Sequence, residues 1–192
     1  MKKIKFTFID NDINIDSSLF IDIVIENKSM LYDFLKYCYY LFNGKNNYIF
    51  LQNNGEMLDN EKSIHFVYNL LNLDLNSKKN INALYKILKL KYYEELKEDI
   101  SVLTNKAKQI IDNISLDFDI ELYSSSEIKE DDIFKAFDLK FLESEDITLK
   151  ERLIKYCKLI FELQKIDIFI FNSLHQYLQE EEIESLFYEL SY

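Results

Sequence analysis

The sequence predicts a mixed α/β fold, with an α/β head and an α-helical leg inserted into it. Three observations carry this reading. Strand-like runs lie towards both ends of the chain, at 3–9, 48–52 and 165–171. From Lys78 to Ile114 the patterning is purely helical, with no glycine or proline. The texture changes at Asn76 and reverts at Lys165. The head is therefore expected over 1–75 and 165–192, and the leg over 76–164. The strand at 165–171 is expected in one sheet with 3–9 and 48–52.

Each element has its own signal. KIKFTFI, residues 3–9, alternates polar and apolar residues, as a half-buried strand does. A short strand INI is possible between turns at Asn11-Asp12 and Asp16-Ser17-Ser18. FIDIVIE, residues 20–26, reads as a further strand. Asn27 to Phe42 reads as a helix with Leu31, Phe34, Leu35, Cys38 and Phe42 on one face, ended by Asn43-Gly44. YIFLQ, residues 48–52, is a strand followed by a turn at Asn53-Asn54-Gly55. A helix near 61–73 is expected to bury Ile64, Val67, Tyr68 and Leu71.

The long helical run leaves the compact sheet domain unless it breaks near Glu98-Asp99. Residues 115–146 are acidic and less regular. Thr148 with Glu151 three residues on fits a capping box opening a helix to about Leu163, which buries Leu153, Tyr156, Cys157, Ile160 and Phe161. The apolar run at 165–171 suits a strand covered on both faces, as in a parallel sheet. Asn172-Ser173 follows it, and then an acidic helix with Ile183, Leu186, Phe187 and Leu190 on one side. Ligands of open α/β sheets gather at the carboxyl ends of strands, so a site in the head is expected near Asn172 and Ser173.

Composition narrows the function. At 48% apolar residues, the chain has enough core material to exclude a disordered protein. Its net charge of -11 argues against indiscriminate nucleic-acid binding over the whole surface. Cys38 and Cys157 both fall in helical apolar patterns, as buried free thiols of a reducing compartment do. Asp10 and Asp12 interrupt the start MKKIKFTFID, so it lacks the apolar core of a signal peptide. No apolar run approaches the ~20 residues of a membrane span. A cytoplasmic protein without membrane attachment is expected.

Nucleotide and zinc chemistry find no support. Gly44-Lys45 lacks the other glycines of a phosphate-binding loop and precedes a strand rather than a helix. His65 and His175 have no His or Cys at ligand spacing and read as a packed or a surface histidine. No catalytic triad stands out.

Charge is distributed unevenly. Residues 78–108 hold eight lysines against four acids, a local net of +4, whereas 115–146 hold eleven acids against three lysines, a local net of -8. On a helix, Lys79, Lys86, Lys97 and Lys108 fall within about 40° of one another, and Leu88, Tyr92, Leu103 and Ile110 lie to one side. Such a row either tracks a phosphate backbone or is a solvated helix face. In LDFDIEL, residues 116–122, Asp117, Asp119 and Glu121 alternate with apolar residues, so an extended chain puts the three carboxylates together. That is either a hard-cation site of the calcium type, though without EF-hand spacing, or an exposed strand face.

Five stretches, in order, carry a family resemblance: VIENKSMLYDFLKYCYYL, YKILKLKYYEELKE, LDFDIEL, EDDIFKAFDLKF and ERLIKYCKLIFELQKIDIFIFNSLHQYLQEEEIESLF. The chain resembles the small spacer-acquisition (adaptation) protein of subtype II-A CRISPR systems, the ring-forming DNA-end-binding family. The resemblance implies a P-loop-like α/β head without nucleotide motifs, carrying the helical leg. It also implies a homotetramer that binds calcium, holds linear double-stranded DNA in a lysine-lined channel, works with other CRISPR adaptation proteins and catalyses nothing. On this chain the lysine-lined channel it implies is expected at Lys79, Lys86, Lys89, Lys97 and Lys108, and the acidic cluster Asp117, Asp119 and Glu121 matches the metal site in character, ligand by ligand unassigned. Members of the family have several lysines before the final strand where this chain has Lys165, and they continue beyond the segment EEEIESLFYEL with another strand. The sheet is therefore expected to be trimmed.

Two other function classes compete with this one. The first is an acidic protein-interaction module, a phage or defence regulator without DNA binding, which the overall charge favours. The second is a nuclease built on the carboxylates at 117–121, which shows no two-metal arrangement.

Overall fold

The computed structural model describes residues 2–7, 9, 12–15, 20–45, 48–116, 129–143, 146–166 and 168–191. The chain divides into two compact units, Met1–Leu75 with Ser144–Tyr192, and Asn76–Glu143. The architecture is mixed α/β.

In the first unit, β1 (Lys2–Phe6), β2 (Ile13–Asn14), β3 (Ile49–Asn53) and β4 (Glu56–Met57) form an antiparallel sheet in the order β2-β1-β3-β4. Alternation sets its faces: Ile4 and Phe6 of β1 and Ile49 and Leu51 of β3 are buried, and Ile4 pairs with Leu51 and Phe6 with Ile49. Helix α1 (Lys28–Phe42) covers that face through Phe34, Cys38 and Leu41, with the Phe6 and Phe34 rings 5.2 Å apart. The α1 start is set by Asn27, whose side chain accepts from the backbone N–H groups of Ser29 and Met30. Gly44, at φ 68°, follows its end. Asn54 and Gly55 have φ of 51° and 86°, so the β3–β4 hairpin closes through a two-residue turn with both central residues left-handed.

A second, parallel sheet pairs β5 (Ile64–Val67) with β6 (Ile168–Phe171). Its two faces serve two cores. Ile64, Phe66, Ile168 and Ile170 join the core under α1. Val67, Phe169 and Phe171 face α5 (Leu149–Gln164) and α6 (Glu180–Leu190), with Leu153, Ile183 and Leu186. The capping box of α5 forms as its sequence requires: Thr148 N–H donates to Glu151 Oε2 at 2.8 Å, and Glu151 N–H donates to Thr148 Oγ1 at 3.2 Å. Lys165 ends α5 in the left-handed region, at φ 58°.

Four expectations are corrected here. Residues 61–73 are not one helix: a single turn, α2 (Asn60–Ser63), precedes β5. Four consecutive buried apolar or aromatic residues suit a strand with two covered faces, whereas a helix would turn some of them outward; Tyr68 and Leu71 are indeed exposed. The strand at 165–171 does not join the sheet of β1 and β3, because β6 hydrogen-bonds to β5 instead. Residues 20–26 form no strand. Phe20 stacks on Phe187 of α6 at 4.6 Å, and Asp22 lies 3.2 Å from His175, so side chains rather than a sheet edge hold this segment. Helix α5 belongs to the first unit, since it packs on α6, and the second boundary falls after Glu143 rather than at 164.

The second unit is built on α3 (Lys78–Ser115), 38 residues that continue through Glu98-Asp99 without a break. Ser77 caps it by accepting from Asn80 N–H. A short helix, α4 (Glu130–Ala136), lies against it, with the Tyr85 and Phe134 rings 5.3 Å apart. Asn76 holds the stretch after α4 reciprocally, donating to Phe141 O at 3.0 Å and accepting from Phe141 N–H at 2.8 Å.

Candidate nucleic-acid interface

The helix that places the lysines is the one whose continuity was open in the sequence. Because α3 stays helical over its whole length, Lys79, Lys86, Lys97 and Lys108 remain on one line. At 1.5 Å per residue that line is ~44 Å long. Lys79, Lys86 and Lys97 are exposed and Lys108 is half-buried. The apolar flank is only partly covered: Ile100 is buried, while Leu103 and Ile110 are exposed among the described residues.

Lys89 lies about 80° off the row and does something different. It turns towards α4, where its Nζ sits 3.4 Å from Asp131 Oδ1. Between the two helices is an open cleft of about 370 Å³, whose polar lining comes from Asn82, Lys86, Lys89, Asp131 and Lys135. Tyr85 forms its wall; the ring is 8% exposed and the hydroxyl donates to Leu139 O at 3.4 Å. Lys86 thus belongs both to the row and to the cleft. Lys135 and Asp131 were not singled out by sequence reasoning. They lie in a stretch whose net charge is -8, which hides a local cationic cleft, although EDDIFKAFDLKF carried them within the resemblance.

The expected metal ligands Asp117, Asp119 and Glu121 lie outside the described residues. Among the described residues no group of three or more His, Cys, Asp or Glu side chains is placed to hold a metal ion.

Asn172 and Ser173 prove to be structural. Asn172 N–H donates to Val67 O and extends the parallel ladder, and Ser173 Oγ donates to Asn172 Oδ1 at 3.0 Å. Ser173 takes φ 59° to turn the chain towards α6. Gly44-Lys45 closes a helix rather than opening one, with Lys45 N–H donating to Tyr40 O, so it offers no helix N-terminus to a phosphate. His65 is buried, its Nε2 2.9 Å from the Tyr156 hydroxyl. His175 is at the surface between Asp22 and Glu180. Cys38 and Cys157 are buried free thiols, and burial pushes each up to about 12, so neither is a nucleophile at neutral pH. Among the described residues no helix is long and apolar enough to cross a membrane.

No curated protein matches the chain. The family model described as "CRISPR-associated protein (Cas_Csn2)" matches residues 41–192, which run from the end of α1 through α6 and include the whole row and cleft. That span is 152 of the 192 residues, counted from 41 to 192 inclusive. On this ground the chain belongs to the Cas_Csn2 family of CRISPR-associated proteins.

Proposed function

We propose that this protein is a non-enzymatic double-stranded DNA-binding protein of CRISPR spacer acquisition. It works as a homotetrameric ring that calcium supports, with linear DNA along the lysine row and other adaptation proteins as its partners. The observation that carries the reading is the unbroken α3, which keeps Lys79, Lys86, Lys97 and Lys108 in register over ~44 Å. A duplex turn is ~34 Å, so one subunit follows a little more than one turn of phosphate backbone.

Magnitudes explain why a ring is needed. Four lysines give a salt slope of only ~3.6 log units per log unit of salt, which is weak binding. Several copies around one duplex multiply the contacts without new residues. Acidic surface more than one Debye length away, ~8 Å at physiological salt, then opposes binding little. Calcium takes carboxylate oxygens, the donor type that Asp117, Asp119 and Glu121 supply, and would offset part of the local negative charge.

The test is a gel shift with linear and closed circular duplexes, with and without calcium, on wild type and on the Lys86→Glu/Lys97→Glu double variant. Linear DNA should bind in calcium, and the double variant should lose binding while keeping its oligomeric state. Wild-type binding by that variant would reduce the row to a solvated helix face. No binding of any DNA by the wild-type protein would leave an acidic interaction module as the better account.

A further inference from the structure

The cleft between α3 and α4 holds chemistry that the row alone does not use. Lys86 and Lys89 reach it from α3, and Lys135 and Asp131 from α4. Three ammonium groups and one carboxylate leave a local net charge of +2. The two helices are held together by the Tyr85–Phe134 ring contact, so these side chains stand on packed helices rather than on loops.

We infer that this cleft seats a single phosphate group, with Lys86, Lys89 and Lys135 as its ligands. Asp131 acts as the positioning residue that turns Lys89 inward. The inference rests on the DNA-binding reading only for the source of the phosphate, which is either the backbone of bound DNA or a free anion.

Four features point to phosphate. Lysine ammonium groups act as point charges and suit a tetrahedral acceptor approached from several directions. The cleft is open and its lining carries three lysines and a single aromatic ring, Tyr85, so it offers no pair of rings between which a base would stack. The hydroxyl of the wall residue Tyr85 is already turned to Leu139 O. Lys135 also lies 3.8 Å from Asp132, but both side chains are more than half exposed, so that pair is weak and a phosphate competes with it readily. The Lys89–Asp131 contact offsets part of the repulsion among the three lysines while the cleft is empty. Because Lys86 is shared, a strand that follows the row delivers a phosphate to the mouth of the cleft.

The first test contains no DNA. Inorganic phosphate is titrated into the full-length protein and backbone-amide NMR is read. Shifts should concentrate at Lys86, Lys89 and Lys135 and disappear in Lys135→Ala, a substitution at an exposed side chain whose fold is checked by circular dichroism. No response up to tens of millimolar, or shifts spread evenly over surface lysines, would overturn the proposal whatever DNA does. The second test identifies the source. The salt dependence of affinity for a linear duplex is compared for Lys135→Ala and Lys129→Ala, the latter an exposed lysine just before α4. A slope lowered by about 0.9 in the first variant alone means a backbone phosphate. An unchanged slope beside a positive phosphate titration means a free anion. Failure of the DNA-binding reading would appear instead in the Lys86→Glu/Lys97→Glu variant.

Discussion

His65 and Tyr156 meet inside the first unit, with Nε2 2.9 Å from the phenolic oxygen, and they join strand β5 to helix α5. Burial pushes the Tyr156 hydroxyl up to about 12, with Cys157, Asp74 and Tyr68 nearby adding to the shift. It therefore stays protonated and available as a donor at neutral pH. Tyr156→Phe removes the partner that this ring nitrogen meets while keeping the ring. A loss of about 1–3 kcal/mol in stability is expected, measured by denaturant unfolding. An unchanged midpoint would show that the contact contributes nothing.

Gly55 carries φ 86° in the β3–β4 turn, and a Cβ there would meet nothing within 4 Å. The cost of Gly55→Ala is thus backbone strain alone, about 1–2 kcal/mol. Gly55→Asn should cost less, because asparagine tolerates the left-handed region. Equal stability for all three proteins would contradict the turn geometry.

Glu151 makes the stability of α5 depend on pH. The backbone N–H of Thr148, then its hydroxyl, hold the carboxyl below its ordinary range. A depressed folded pKa means that the contribution is complete above the ordinary carboxylate value and is lost as pH falls through the folded value. Wild type should therefore be more stable than Glu151→Gln at pH 7, and the difference should shrink towards pH 3. A difference that is flat across that range would argue against the capping box as its source.

The proposed calcium role is tested apart from the lysine row. Asp119→Ala/Glu121→Ala is expected to lower the oligomeric state in calcium, as read by sedimentation, with DNA binding lost as a consequence. Chelation of wild type should have the same effect. A variant that stays fully assembled in chelator and in calcium alike would remove these carboxylates from the metal reading.

Much of the secondary structure was legible because it is decided locally. Asn27 and Gly44 bracket α1, Thr148 and Glu151 open α5, and Asn54-Gly55 turns the β3–β4 hairpin; each acts within a few residues. The buried stripes of α5 and α6 follow largely from helical periodicity: Leu153, Cys157, Ile160, Ile183 and Leu186 are buried as that periodicity requires, whereas Phe161, expected on the α5 stripe, is exposed.

What the sequence by itself determined is the list of helices with strong periodicity, the mixed α/β class, the family and the lysine row on α3. The tertiary structure decided everything that needs a distant partner. β5 is a strand because β6 pairs with it from 104 residues away, as Ile64 opposite Ile168 shows, and local propensity does not contain that partner. Residues 20–26 have the composition of a strand, but Phe20 stacks on Phe187 of α6, Asp22 lies beside His175 and Ile25 packs on the core under α1, so distant side chains rather than a sheet edge hold them. The same reason governs the cleft. Lys89 and Asp131 are 42 positions apart, and the packing of α4 on α3, with Tyr85 against Phe134 and the Tyr85 hydroxyl on Leu139 O, brings their charges within 3.4 Å.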